Sequence, residues 1–290
     1  MSILVSSLPC SNVKKLLPVI EDELLIVLVI YEMKLADSPA FISLRRALEF
    51  SNRQPLLFVY DNSVQSQVIP KDTQWVIFYQ HNPINAGVSK AYNEGAKLAQ
   101  EKDKKWLLLG DQDTEFPIHL FNRFNRSVNN QTQELYVPIM KDAKGIVSPF
   151  RYQWGRGMRV NSLHEGVHSF AGYRFINSGM LISTSLFNRC GGYDERFPLD
   201  FSDLAFINRI IIHQNEFMLV DINCNHRLSA LFDSPTQALI RFKAFATSSR
   251  LFGQENGTSW LQEVQLFLRA ITLSIRFMEL KFIFIFFKRE

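Results

Sequence analysis

Apolar runs and turn residues alternate with a regular rhythm over the first 115 residues. Residues 24–31 (LLIVLVIY) form a continuous, β-branched apolar run, the pattern of a strand buried on both faces. Asp37 and Ser38 then offer N-cap side chains and Pro39 suits the first helical position, which predicts a helix to about Phe50. A second apolar run, 56–60 (LLFVY), ends in Asp61-Asn62-Ser63, all turn formers. Residues 75–79 read as a third strand, Asn85-Ala86-Gly87 opens a helix to about Gln100, and 106–110 (WLLLG) reads as a fourth strand. Strands alternating with helices imply a parallel sheet of right-handed βαβ units.

Beyond residue 115 the pattern loosens. Short strands are predicted over 135–140, 145–150 and 180–183, and a longer one over 217–222. Residues 151–172, rich in Arg, Gly, His and Ser, read as a loop. Helical spacing recurs over 201–213, about 235–252 and about 258–287. With no internal repeat and no clear linker, one main domain over 24–255 is expected, with a nucleotide-binding half (24–115) and an acceptor half (116–255). Residues 1–23 read as a lead-in, and 256–290 as an apolar helical tail.

The fourth strand carries the most informative chemistry. It runs into Asp111-Gln112-Asp113, which brings two carboxylates to the end of a sheet, where open α/β folds bind ligands. Carboxylates in that position can hold a divalent cation, and the cation can hold a diphosphate. The alternative is a solvated acidic turn. No GxGxxG follows the first strand and no Walker A sequence is present, which counts against dinucleotide and P-loop folds.

Composition narrows the classes further. Across 290 residues the chain is 47% hydrophobic and 21% charged, ordinary for a globular protein. The net charge of +4, with no basic cluster interleaved with aromatics, argues against nucleic acid as a partner. Three scattered cysteines without a CxxC pair read as incidental thiols of a reducing compartment. With neither a secretory pattern nor an apolar run of membrane-spanning length, a cytoplasmic protein is expected. The tail is the exception to a plain surface. Residues 264–287 are apolar with scattered charges (Arg269, Arg276, Glu279, Lys281), and 264–289 is a candidate contact with the inner face of a membrane. It could equally pack on the core or on a second subunit.

Five local patterns occur in order: VYDNS at 59–63, NAGVSKAYNEGAKLA at 85–99, LLLGDQDT at 107–114, FINSGMLIS at 175–183 and GGYDERFPLDFSDLAFINR at 191–209. This series resembles the family 2 inverting glycosyltransferases, and among them the bacterial rhamnosyltransferase-like members that build cell-surface polysaccharides. The resemblance spans roughly residues 24–230. It implies an α/β protein of GT-A fold: a mainly parallel central sheet flanked by helices, followed by C-terminal helices. It also implies transfer of a sugar from a nucleoside-diphosphate donor, UDP- or dTDP-linked, to a hydroxyl of a glycan or lipid-linked glycan, with Mg²⁺ or Mn²⁺ as cofactor. The processive Q-x-x-R-W signature is absent, so one sugar per encounter is expected.

The resemblance also implies residue roles. Asp113 is the direct metal ligand, Asp111 a ribose or metal contact, and Asp61 a contact to the base or ribose; the alternative for Asp61 is an Asx turn. Asn85, Gly87 and Asn93 lie where nucleotide is contacted, or else cap and pack the helix. Asp203 is the catalytic base that takes the acceptor proton. Relatives carry Glu-Asp where this chain has Ser202-Asp203, which leaves Asp200 to share or replace the role. Arg209 is a further candidate, or pairs with a nearby acid. His226 is a metal or diphosphate ligand, or a structural histidine. Asn177, Ser178 and Gly179 lie beside donor sugar and acceptor, or form an ordinary turn. Trp154 and His168 could meet a sugar. Two other readings remain at this level. A sugar-phosphate nucleotidyltransferase is disfavoured by the absence of glycine over 32–37, and a degenerate binding protein is the second.

Overall fold

A computed structural model describes residues 19–49, 53–69, 75–130, 132–226 and 234–288. Most of the predicted lead-in over 1–23 lies outside them; its end, Ile20–Glu23, is one 3-10 turn. Four parallel strands follow: β1 (Leu24–Ile30), β2 (Leu56–Asp61), β3 (Val76–His81) and β4 (Trp106–Asp111), in the order β3-β2-β1-β4. Between them run α1 (Pro39–Leu48) and α2 (Gly87–Glu101). The α1 cap is the one the sequence predicts, with Ser38 Oγ accepting from the Phe41 N–H at 3.3 Å and Pro39 at the first helical position.

β1 is apolar throughout because both of its faces are covered. Leu25, Val27 and Val29 pack on Tyr92 and Ala96 of α2. Leu24, Ile26, Leu28 and Ile30 pack on the other side, with Phe41 and Leu44 of α1. The sheet reaches ten strands through the second half of the chain. Its elements are β5 (Thr114–Glu115), α3 (Leu120–Asn130), β6 (Leu135–Asp142), β7 (Gly145–Ser148), β8 (Arg151–Gln153), β9 (Arg156–Met158), β10 (Gly166–Ser169), β11 (Leu181–Ser183), α4 (Thr184–Arg189), α5 (Ser202–Ile211) and β12 (Glu216–His226). The main path is β10-β12-β6-β11-β4-β1-β2-β3; β11 runs antiparallel to both neighbours, and β5 adds to the end of β12.

Three expectations need correction. Residues 151–172 are not one loop. β8 and β9 form a hairpin and β10 is the outer strand of the sheet, all three too short and too exposed for an apolar pattern to mark them. β12 runs on past residue 222 to His226, which carries the histidine to the end of the sheet. The helix predicted over 258–287 is two, α7 (Ser259–Phe277) and α8 (Lys281–Phe287). The break is a Schellman turn: Met278 is left-handed (φ 52°), the Glu279 N–H donates to Ser274 O at 3.1 Å and the Met278 N–H to Ile275 O at 3.4 Å. No glycine or proline announces it.

α6 (Pro235–Glu255), α7 and α8 pack around Phe242, Leu266, Ala270 and Phe282. The C-terminal end of α6 reaches α5 through Phe252, which joins Phe197, Leu204 and Ala205. Among the described residues, no helix is long and apolar enough to cross a membrane.

Candidate active site

β4 delivers Asp111 to the sheet end, and the next two residues are held from opposite sides. Gln112 turns away from the cleft. Its carbonyl accepts from Ser38 Oγ (2.8 Å) and Ala40 N (3.2 Å), and its side chain bonds the backbone of Tyr31 (2.7 and 3.1 Å). Asp111 and Asp113 therefore flank a residue committed to the α1 side. The Asp111 N–H donates to Ser178 Oγ at 3.0 Å, Ser178 Oγ meets Thr114 Oγ1 at 2.8 Å, and Thr114 Oγ1 meets His226 Nδ1 at 2.9 Å. His226 Nδ1 lies 3.6 Å from Asp113 Oδ1. β4, β5, β12 and the segment before β11 thus converge on one point.

A second chain of contacts runs from the same point to α5. Tyr92 of α2 donates its hydroxyl proton to Asp111 Oδ1 at 2.7 Å. Its ring lies 5.1 Å from that of Tyr193, which stacks on Phe206 of α5 at 4.0 Å. Tyr193 donates to Asn177 Oδ1 (2.8 Å), Asn177 Nδ2 donates to Ser202 Oγ (3.1 Å), and Ser202 Oγ donates to Leu199 O (2.8 Å). Phe201 is left-handed (φ 64°), which turns the chain sharply into α5 and sets Asp203 in its first turn.

Asp111, Asp113 and Asp203 are each deep among protein atoms but partly open to solvent. Burial pushes Asp203 up to about 7, and the charges of Asp200 and Asp111 add to it, against the Leu204 N–H that donates to its Oδ1 at 2.8 Å. Burial likewise pushes Asp113 up to about 6, opposed by His226 and reinforced by Asp111. Asp111 is raised by burial, against the Tyr92 hydrogen bond and His226. Asp111 is thus linked by charge to both Asp113 and Asp203.

Other sequence candidates take different places. Asp61 is fully buried with both oxygens engaged, Oδ1 by the Ser63 N–H (2.9 Å) and Oδ2 by Gln67 Nε2 (2.8 Å) and the Tyr79 hydroxyl (2.9 Å). Burial alone would raise it, yet these donors hold its carboxyl below the usual range. Asn85 is exposed and left-handed (φ 51°). Gly87 (φ +88°) is pressed on protein backbone: an added Cβ would lie 2.1 Å from Pro198 O, and the Val88 N–H donates to that carbonyl at 2.7 Å. Asn93 pins the 192–195 turn through Tyr193 N and O and Glu195. Arg209 braces the same turn, donating to Gly192 O (3.0 Å) and Asp194 Oδ2 (3.0 Å). Asp200 forms a two-point ion pair with Arg241 of α6. Gly179 (φ +80°) packs on Pro138 and Met140, its N–H donating to Leu109 O at 2.7 Å. His168 stacks on Phe217 (5.9 Å), and Trp154 is exposed at the β8–β9 turn. Thr114, Tyr92 and Tyr193 went unread as site residues, although each stands inside one of the quoted patterns.

Sheet order, the reversal at β11 and acids at the end of β4 define the architecture as the GT-A glycosyltransferase fold. S. aureus TarS 1–349 superposes with a TM-score of 0.52 at 11% identity, over 79% of this chain and 65% of that one. Its complex with UDP-GlcNAc gives 0.51 at 14% identity, over 79% and 66%. GalNAc-T7 with UDP, GalNAc and Mn²⁺ gives 0.52 at 12% identity, over 83% and 56%. In sequence, the chain is 25% identical over 152 residues to the dTDP-rhamnosyl transferase RfbF of Shigella flexneri, and it spans about half the length of that curated relative. No family model matches the chain.

Proposed function

We propose that this chain is a metal-dependent, inverting glycosyltransferase. It moves a sugar, with rhamnose a candidate, from a UDP- or dTDP-linked donor to a hydroxyl of a growing surface glycan. The observation that carries the reading is the convergence of Asp111, Asp113 and His226 at the sheet end, with Asp203 in the first turn of α5 within charge range of Asp111 and raised by burial to about 7. A general base works best with a pKa near the operating pH. The Leu204 N–H occupies Oδ1, so Oδ2 takes the proton. The acceptor oxygen bonds to the anomeric carbon from the face opposite the diphosphate. The bond from that carbon to the diphosphate breaks, its electron pair leaves with the diphosphate, and the acceptor's proton passes to Asp203. Asp200, tied to Arg241, orients the start of α5 and keeps Asp203 basic through its charge.

Asp111 and Asp113 suit a hard divalent cation. Both are oxygen donors, and their mutual repulsion in a buried site is what a cation relieves. Among the described residues no group of three His, Cys, Asp or Glu has metal-holding geometry. An ion held by one or two carboxylates and completed by substrate phosphates, as Mg²⁺ commonly is, would need no larger set of protein ligands. Such an ion would neutralise charge on the departing diphosphate. Thr114 engages His226 Nδ1, so a bond from that ring to the ion would use Nε2.

The test is a melting series with UDP-, dTDP- and GDP-sugars, with and without Mn²⁺, on the wild type and Asp113→Asn. A ligand at 100 times its dissociation constant stabilises by about 2.7 kcal/mol. Stabilisation that needs Mn²⁺ and is lost in Asp113→Asn supports the reading. Metal-independent melting with every sugar sinks it.

We also propose that the C-terminal helices lie on anionic lipid. Gln262, Leu266, Ala270, Leu273 and Ser274 form the buried face of α7. Trp260, Val264, Leu268 and Ile275 recur at helical spacing on the opposite face and are exposed, Trp260 at 71% and Ile275 at 73%. Met278, Leu280, Phe284 and Phe287 extend this surface. Residues 235–288 carry seven basic and three acidic side chains. An exposed apolar face on a segment with a basic excess matches an anionic membrane surface.

A further inference from the structure

Next to Leu204, the neighbour of Asp203 in the chain, lies an open cavity of about 250 Å³ lined by the β8–β9 hairpin, Arg174, α5 and the joint between α6 and α7. Tyr152, Arg174, Leu204, Asn256, Thr258 and Gln262 stand in its wall, and Arg174 is the one charged residue there. Arg174 is half-buried and pairs with no acid among the described residues; its Nη1 donates to the carbonyls of Phe170 and Tyr173 (2.9 Å to the latter). Among the described residues its remaining guanidinium N–H groups have no acceptor. Thr258 Oγ1 is buried with no hydrogen-bond partner among the described residues. The Tyr152 oxygen accepts from Gln262 Nε2 at 3.1 Å, which leaves its O–H free to donate. Thr258 also precedes α7, a 19-residue helix whose first N–H groups point away from its body.

The wall is therefore rich in donors and holds no carboxylate. A half-buried guanidinium with spare N–H groups and no acid beside it, and a buried hydroxyl without a partner, each cost free energy unless a ligand meets them. The complement is an anion with several acceptor oxygens. The cavity is also coupled to the proposed base: Leu204 follows Asp203 in the chain, and the Tyr152 hydroxyl feels the charges of both Asp203 and Arg174.

We infer that this cavity is an acceptor subsite that holds an anionic group, a phosphate or carboxylate, on the glycan that receives the sugar. The assignment rests on the transferase reading for the word acceptor, and on the cavity alone for the anion. An acceptor seated by its anionic group against Arg174 presents a neighbouring hydroxyl toward Asp203, so charge on the glycan selects the substrate.

The experiment is calorimetric titration of the full chain, saturated with UDP and Mn²⁺ so that the donor site is closed. The probes are a hexose 6-phosphate, inorganic phosphate and the uncharged hexose. We expect the hexose 6-phosphate to bind at least about tenfold more tightly than either other probe, and Arg174→Gln to weaken it by about tenfold or more. Arg174→Lys should restore part of the loss. Because Arg174 also ties down backbone carbonyls, Thr258→Val serves as the second variant. It removes an unpartnered hydroxyl at constant shape and should weaken the same probe by about threefold. Affinity unchanged in Arg174→Gln and Thr258→Val overturns the subsite. Equal affinity for inorganic phosphate and hexose 6-phosphate overturns the acceptor assignment and leaves a free-anion site. Should UDP fail to bind, the transferase reading falls, while the same probes on the ligand-free chain still read the cavity through their dependence on Arg174.

Discussion

Replacing Asp203 by Asn should stabilise the protein while removing its activity. The carboxyl has an ordinary value of 3.8 and stands at about 7 in the fold, so ionising it works against folding. The sign follows from linkage. The unfolded chain loses this proton first, so the stability present below pH 3.8 is lost progressively as pH rises to about 7. At about 1.36 kcal/mol per pH unit, that span caps the penalty at roughly 4 kcal/mol, of which about 2 kcal/mol falls between about pH 5.5 and about pH 8. Partial solvent access and the new amide's need for an acceptor reduce it, so a gain of about 1–3 kcal/mol at about pH 8 is expected. Asn keeps an oxygen for the Leu204 N–H, so the start of α5 should hold. Urea melts of both proteins across that pH range measure the gain, and it must grow with pH. Turnover of a sugar donor should fall by about 10²–10⁴, the usual worth of a general base. Wild-type kcat/KM should rise as pH passes about 7, since Asp200, Asp111, Tyr152 and Tyr193 face this carboxyl with no cation paired to it. A stability difference that stays flat with pH would refute the elevated carboxyl, and with it the physical basis for the base.

Three further outcomes are expected. Gly87→Ala should destabilise by more than about 3 kcal/mol in urea melts: a left-handed backbone costs about 1–2 kcal/mol for an L side chain, and the contact at 2.1 Å with Pro198 O forces backbone to move; a cost below about 1 kcal/mol contradicts the geometry. Tyr79→Phe should cost about 1–3 kcal/mol near neutrality by taking a donor from buried Asp61. Because Asp61 is held below 3.8, that cost should shrink as pH falls through its folded value, and a loss equal in acid and at neutrality argues against it. Flotation with vesicles containing anionic lipid should recover the wild type at low salt and lose a Trp260→Ser, Ile275→Ser double variant; equal recovery with neutral vesicles would exclude the role given to the basic excess.

Much of the fold could be read from residue pattern alone. β1, β2 and β4 are covered on both faces, so their sequences had to be apolar throughout, and the Asp-x-Asp at the end of β4 needed only chain order to be placed. β8, β9 and β10 lacked that signal because they are short and largely exposed. α3 carried one that went unused: Leu120, Phe121, Phe124 and Ser127 fall on one buried face. The candidate acids could be picked out along the chain, but not the residues that surround them. Tyr92 and Asp111 are near in the chain, but Thr114 and His226 are 112 residues apart, and no local pattern carries a contact of that span. The same limit separates Gly87 from Pro198 and Asp200 from Arg241. A glycine or an acid in a motif shows that something approaches closely, whereas the structure shows here that the neighbour is the protein's own chain.

The junction of Gly87 and Asn93 with the 191–198 segment bears on how such enzymes can be recombined. Residue 87 has no room for a side chain only because Pro198 lies against it, and Asn93 recognises the Tyr193 backbone through both of its amide atoms. A hybrid that takes its first 115 residues from one parent and the remainder from another therefore inherits half of a lock. Grafts that exchange the first half should carry the 191–198 loop along with α2.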